Sequence, residues 1–394
     1  SLFGTVEHEF TPNFGGYTEL SYRYTDNSTS SYAGIVGVMT MTPVNPNNPF
    51  GRAVNVYVDP TDFPDDRVKS IQRTMRAVAG LRGQFSAFGK RQFSWATDFS
   101  WDRNETYASN VRYTQYLRAA VFAGLYNPLR DLTSAPMADA ATLANARSEI
   151  EVLGHPQIVA TNWRLNGDLF EAWGGPSRFS LGAEFRVEKQ YNRQTTYNGP
   201  WSALPQAPQG FADGLTESER RARAVYTELT LPLVGERNAR PMLRELSVSA
   251  AVRMEKYEDF RSAAPPTLAV KYAPVQDLAL RASYSEGFQP PTLQSLNNVG
   301  SLLEDVEFPG AFVDPLRPGL PLGTFTIRGG FGNPDLKPEV SETWDAGAVI
   351  TPRWIPGLTL NASYFRYDKK DVVAVLDFQQ VIDFFPGNYT RGPN

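Results

Sequence analysis

The stretch Phe179-Ser180-Leu181-Gly182-Ala183-Glu184-Phe185-Arg186-Val187-Glu188 alternates apolar residues with small or charged ones. A period of two puts Phe179, Leu181, Ala183, Phe185 and Val187 on one face of a β-strand, and Gly182, Glu184, Arg186 and Glu188 on the other. A packed sandwich core would not accept that second face, whereas a water-filled lumen tolerates full charges. The pattern recurs in Phe93 to Trp101, Val225 to Leu231, Leu246 to Met254, Leu278 to Tyr284 and Leu358 to Tyr364. These segments run for roughly 9–12 residues, close to the tilted span of a bilayer, against about 5–6 for a soluble strand.

Working outward, the period-two rule predicts about twelve strands. They lie near residues 2–10, 17–26, 67–80, 91–103, 157–171, 178–191, 222–233, 245–257, 267–273, 278–286, 341–351 and 358–368. Short Pro-, Gly- and Asn-rich turns at 11–16, 173–176, 273–277 and 352–357 alternate with long polar connections around 26–66, 104–156, 192–221 and 287–340. Short turns on the periplasmic side and long loops on the extracellular side mark a transmembrane barrel, and structureless loops this long argue against an ordinary compact domain. The expected fold is therefore all-β, an antiparallel up-and-down transmembrane barrel. One stretch departs from the pattern. Ala138 to Leu153 is Ala-rich with helical spacing after Ser134 and Pro136, which predicts a short helix in an outer loop.

Composition narrows the chemistry. The 394 residues carry a formal net charge of −4, no Cys and only two His, His8 and His155. The charge gives no global pull toward nucleic acid. Disulfides and Cys-based metal sites are excluded, and a multi-histidine metal site has little to work with. With 24 Phe, 18 Tyr and 7 Trp the chain is rich in aromatics, yet its mean hydropathy is −0.36 and no run reaches the length of a membrane helix. No GxSxG, GxxxxGK[ST] or HExxH element occurs, and neither an enzyme nor a cofactor is expected. The chain opens in a strand at Ser1 and closes in loop-like residues at Asn394, so residues 1–394 are expected to be one partial barrel domain of a longer polypeptide.

Two separated elements carry a resemblance. Leu280 to Leu296 reads LRASYSEGFQPPTLQSL, and Gly332 to Glu342 reads GNPDLKPEVSE. Together they resemble the paired signatures in the C-terminal barrel half of TonB-dependent receptors, a Gly-Phe-x-x-Pro element and a later Asn-Pro-x-Leu-x-Pro-Glu element. The stretches 226–233 and 251–260, and 167–170 followed by 182–186, look like strands of the same family. Gln289-Pro290 departs from the Arg-Ala that the family usually carries before the Pro. The resemblance implies a 22-stranded barrel closed by an N-terminal plug. The plug, the TonB-contacting segment (TonB box) and the remaining strands would then lie outside this sequence. It also implies an outer-membrane location in a Gram-negative bacterium, a lipid surround, and the TonB complex as energy source.

The motif residues Gly287, Phe288, Pro290, Pro291, Asn333, Pro334, Leu336, Pro338 and Glu339 are read as structural, because Pro and Gly direct the chain where a strand ends. By alternation Glu228 and Asp345 face the lumen. In the resembled family barrel carboxylates pair with plug arginines, so these two are expected to help seat the plug; solvated lumen carboxylates are the alternative. Tyr191, Tyr197 and Trp201, with Arg193 beside them, are candidates to stack on a sugar or an aromatic iron chelator; loop packing or an aromatic girdle is the alternative. Asp62, Asp65 and Asp66 lack the spacing of a calcium loop, and no metal site is expected.

The leading functional expectation is a receptor that binds a scarce ligand, a siderophore–iron complex or an oligosaccharide, at its extracellular loops and imports it with TonB-supplied energy. A passive porin or adhesin barrel is one alternative. A secreted β-rich carbohydrate-active protein is the other.

Overall fold

The computed structural model describes residues 1–385 apart from 32–36, 59–61, 90, 115, 132, 134–137, 205–213, 261–262, 298–300, 308–323, 331, 375 and 377. In chain order the strands are β1 (Leu2–Thr11), β2 (Phe14–Ser31), β3 (Gly37–Met41), β4 (Val54–Val58), β5 (Asp66–Ala87), β6 (Arg91–Arg112), β7 (Ser148–Gly154), β8 (Gln157–Ala172), β9 (Gly175–Asn198), β10 (Gly214–Val234), β11 (Glu245–Tyr257), β12 (Pro266–Val275), β13 (Leu278–Gln289), β14 (Ser301–Glu307), β15 (Thr324–Gly330), β16 (Glu339–Ile350) and β17 (Leu360–Lys370). Four short helices, α1 (Leu117–Phe122), α2 (Ala140–Ala146), α3 (Leu293–Asn297) and α4 (Phe378–Phe384), lie outside the sheets.

Thirteen strands form one sheet in the order β1-β2-β5-β6-β7-β9-β10-β11-β12-β13-β16-β17, with β8 also between β6 and β9. Strands β7 and β8 share one position. Both pair antiparallel with β6 and with β9, β7 at the upper end and β8 below. His155-Pro156 separates them, as Pro cannot donate to a ladder. Neighbours along the path are all antiparallel. Among the described residues β1 and β17 are the two edges.

The two faces of this sheet invert the usual rule for a soluble protein. In register, Glu184 lies opposite Ala224 and Asn162, Gly182 opposite Tyr226, and Tyr226 opposite Arg253. The polar positions therefore share one face. Leu181, Val225, Met254 and Trp344 sit on the other and are 44 %, 50 %, 56 % and 54 % exposed. A face of large apolar side chains open to its surroundings is stable only where those surroundings are apolar, which is the outer surface of a membrane barrel. The polar face is concave: Tyr17 and Glu19 of β2 and Arg253 of β11 line one cavity. Two glycines let tyrosines lie flat on it. A Cβ at Gly80 would stand 2.5 Å from Tyr17 Cζ, and one at Gly182 would stand 2.1 Å from Tyr226 Cζ.

The long connections are not structureless. Strands β2, β5, β6, β9 and β10 continue well past the bilayer span, and β3 and β4 form a hairpin. A hydrophobic core gathers Met39, Met41, Val56, Leu117, Val121 and Trp201 from the hairpin, α1 and the short 3-10 turn Pro200–Ala203, with Phe63, Tyr116 and Tyr126 from the connections between them. This extracellular lobe is the main buried apolar cluster of the described residues. The helix expected over Ala138 to Leu153 is confined to α2. Asp139 caps it by accepting from the Thr142 amide at 2.7 Å, and residues 148–154 are the strand β7. Ser134 and Pro136 lie outside the described residues. Among the described residues no helix is long and apolar enough to cross a membrane.

Candidate functional site

The concave face carries a cavity of about 750 Å³, lined among others by Tyr17, Arg76, Asp98, Glu184, Glu228 and Arg253. From Glu184 and Arg253 of this lining a lattice of opposite charges continues along the same face beyond the cavity, and cross-strand register explains it. Arg186 of β9 donates from Nη1 to Glu184 Oε1 at 2.5 Å, from Nε to Glu188 Oε1 at 2.7 Å and from Nη2 to the Tyr257 hydroxyl at 3.1 Å. Arg253 of β11 donates to the other oxygen of Glu184 at 2.8 Å and also bonds Glu255. Arg220 of β10 donates from Nη2 to Glu188 Oε2 at 2.5 Å and from Nη1 to the Pro291 carbonyl at 2.8 Å. Arg220 is only 6 % exposed. A guanidinium so deeply placed requires charged and hydrogen-bonded partners, and here it has both. Its face also rests 5.2 Å from the Tyr257 ring centroid, a favourable cation–π geometry. Glu184 and Glu188, each bonded to Arg186, thus act as wall scaffold.

The two signature elements meet in this wall. Gly287, Phe288 and Gln289 of β13 pair in register with Ser341, Val340 and Glu339 of β16. A Cβ at Gly287 would stand 2.3 Å from Ser341 Oγ and 3.7 Å from its Cβ, so a larger residue there would turn the Ser341 hydroxyl aside. After Pro290 and Pro291 the chain turns into α3, whose Leu293 and Leu296 are buried. Asn333 returns to α3 through its amide, 2.8 Å from the Ser295 carbonyl, and its own side chain accepts from the Asp335 amide at 2.9 Å. Pro334, Leu336 and Pro338 carry the turn and irregular segment into β16. Glu339 ion-pairs with Lys369 and accepts from the Val373 amide at 2.7 Å, which ties the tops of β16 and β17 together. Phe288 lies 6.1 Å from Tyr257, beside the Arg220 contact.

Glu228 and Asp345 both take the concave face. Asp345 stands 3.7 Å from Arg281 Nε. Glu228 lies at the cavity and has no ion pair or side-chain hydrogen bond among the described residues. The aromatic candidates are placed differently. β9 runs through its pairings without a bulge from Arg178 to Asn198, so Tyr191, Arg193 and Tyr197 share the outward face of Phe185 and Val187. Tyr191 packs on His155 at 5.4 Å, and Tyr197 is half exposed. Trp201 is buried in the lobe, edge-on to Tyr126 at 6.5 Å. Asp62 is fully buried there as well, accepting from the Tyr126 hydroxyl at 2.8 Å and ion-paired with Arg130. Burial and this carboxylate push the Tyr126 phenol well above its usual range. Among the described residues no cluster suited to a metal ion occurs.

Sequence reading missed the Arg220–Glu188–Arg186 lattice. The signal was available in part, since Glu184, Arg186 and Glu188 share a parity. Which residues of β10 and β11 meet them depends on register, which alternation does not give.

Comparison with known proteins agrees with this architecture. A family model described as TonB dependent receptor-like, beta-barrel, matches residues 5–392. The RagAB peptide importer in its closed-closed state is similar in fold, with 13 % identity, a TM-score of 0.51, and coverage of 91 % of this chain and 38 % of that one. A mutant of the ferric enterobactin receptor PfeA from Pseudomonas aeruginosa matches at 16 % identity and a TM-score of 0.43, covering 93 % of this chain and 50 % of its own. The siderophore receptor PirA from Acinetobacter baumannii matches at 14 % identity and 0.42, covering 94 % and 52 %. This chain thus spans about half the length of those two receptors and less of the importer. No curated protein matches the sequence. The family match extends over nearly the whole chain, including both signature elements that pair across β13 and β16, and the chain belongs to the TonB-dependent receptors, in their β-barrel region.

Proposed function

We propose that this chain forms a curved wall and an extracellular lobe of an outer-membrane receptor that imports a scarce ligand with energy supplied through TonB. The observation that carries the reading is the inverted wall: apolar side chains exposed outward, and a lattice of charges around a cavity inward. Ligands of the siderophore–iron and oligosaccharide classes remain the leading candidates, and the peptide importer among the structural neighbours adds peptides. Tyr197 and Arg193, on the extracellular extension of β9, stay candidates for ligand contact from outside the wall, and Trp201 acts through the lobe that supports them. Glu228 is proposed to seat the plug, since an unpartnered carboxylate facing a lumen is a ready partner for a plug cation. Asp345 would do so by exchanging Arg281 for that cation.

The test is uptake by cells expressing the full-length receptor, with labelled ferric siderophore, oligosaccharide and peptide offered in turn, with and without TonB. One class should accumulate only when both receptor and TonB are present. Uptake that persists without TonB would move the protein to the passive pores. In the same cells Glu228→Ala combined with Asp345→Ala should impair uptake and loosen the plug; unchanged uptake and plug retention would remove both residues from that role.

A further inference from the structure

The outward apolar stripe ends at a charged rim. Above Tyr22, Met75, Trp101, Val187, Met254 and Tyr284 stand Tyr24, Arg73, Arg103, Lys189, Lys256 and Glu286, each two residues away in its strand on the same face (Arg73 before Met75, the others after). Most rim cations are neutralised within the protein. Arg103 pairs with Glu105 at 2.8 Å, Lys189 and Arg221 each meet Glu219 at 3.0 Å, Arg366 meets Asp368 at 2.7 Å, and Lys370 meets Glu342 at 3.3 Å.

Arg223 and Lys256 are different. They are directly opposite each other in the β10–β11 register. Both are exposed, and among the described residues neither has a carboxylate partner. Like charges directly opposite across a ladder repel. Arg223 also lies 5.9 Å from the Phe185 ring on the same outward face. Immediately below come Val225 and Met254, opposite each other and each about half exposed, and Leu268 follows on β12.

We propose that Arg223 and Lys256 form a binding site for the anionic phosphate headgroup of a membrane lipid, with its acyl chains lying on Phe185, Val225, Met254 and Leu268. The phosphate supplies the counter-charge that the ladder lacks. Each cation reaches it by extending its aliphatic stem along the apolar face, as such side chains do at a membrane interface. A free anion would satisfy the charges but leave the apolar half of the site unused. The occupant is therefore the lipid. This rests on the membrane placement of the wall, which the experiment reads separately.

Detergent-purified full-length receptor is titrated with dioleoylphosphatidic acid, dioleoylglycerol or inorganic phosphate, and bound species are counted by native mass spectrometry. Phosphatidic acid should bind, and the other two should not compete with it. Arg223→Gln combined with Lys256→Gln should weaken its binding about thirtyfold, from roughly one interfacial charge contribution for each residue. Lys256→Arg should retain it, and Arg366→Gln, which removes a rim cation already paired, should leave it within about threefold. Equal binding by the double variant, an equal loss in Arg366→Gln, or equal binding of inorganic phosphate or dioleoylglycerol would overturn the proposal. Parent and variants are also fractionated from cells. Recovery with the outer membrane is expected, and recovery of the parent as a soluble protein would bring down the wall reading and this site with it.

Discussion

On the outward face of the wall Leu181 and Val225 stand half exposed, while in the lobe Leu117 and Met41 are fully buried. The same residue types meet opposite environments within one chain. The lobe follows the rule of soluble domains, in which apolar side chains leave water and a helix, a hairpin and a short turn share a core. The wall has no equivalent interior. Its backbone is satisfied strand to strand, its inner face is held by ion pairs, and its outer face depends on lipid. Exposure therefore means different things in the two regions, and substitutions separate them.

The largest effect is expected in the lobe. Leu117→Ala removes a fully buried side chain from a core packed between Met41, Val121 and Trp201. It should cost about 2–5 kcal/mol of local stability. Limited proteolysis of the full-length receptor in membranes would show it as faster cleavage around 113–147 with the wall still resistant. Cleavage unchanged from the parent would mean that the lobe is not an independent packing unit.

The wall gives the contrasting case. An exposed leucine in a soluble protein tolerates replacement to within about 0.5 kcal/mol. Leu181→Arg, although at a half-exposed position, should cost about 2–4 kcal/mol near the bilayer midplane. Ser180→Arg, one residue away on the lumen face, should be nearly neutral. Reversible unfolding of the full-length barrel from lipid vesicles measures both. Equal effects at 180 and 181 would show that the two faces do not differ in solvent.

The same contrast explains what the sequence disclosed. Inside the bilayer, alternation is enforced by lipid on one side and water on the other, so β11 was legible to the residue at 245–257. Beyond the bilayer that contrast ends. The prolongation of β9 to Asn198 and the hairpin β3–β4 carried no comparable signal, whereas Leu81 to Ser86 of β5 still alternates beyond its expected end. Ser148 to Gly154 alternates apolar Ile150 and Val152 with Glu149 and Glu151, but the Ala-rich helix just before it masked the change of period. Among the site residues, Glu228 and Asp345 were placed on the lumen face by parity alone. For Trp201 loop packing was one of the alternatives, but its partners were not legible, because Tyr126 and Leu117 come from a loop far away in sequence.

The smallest expected effect, and the finest test of the lobe as a soluble-like unit, concerns Tyr126. Its hydroxyl donates to the buried Asp62, and burial followed by that carboxylate raises its pKa above the ordinary 10.0. The folded lobe thus holds the phenol proton more tightly than the unfolded chain does. Stability from this group is complete below the unfolded value of 10.0 and declines as pH rises above it. Tyr126→Phe takes one bond from Asp62 and leaves Arg130 as its partner, so at neutral pH the lobe should lose about 1–3 kcal/mol. Above about pH 10 the parent should open progressively, and the variant, with no phenol to ionise, should show a flatter alkaline profile. Cleavage of the lobe followed between about pH 8 and 11, with wall protection as the internal reference, separates these outcomes. A parent whose lobe and wall respond alike to alkali would mean that the buried Tyr126–Asp62 contact contributes nothing specific to the lobe.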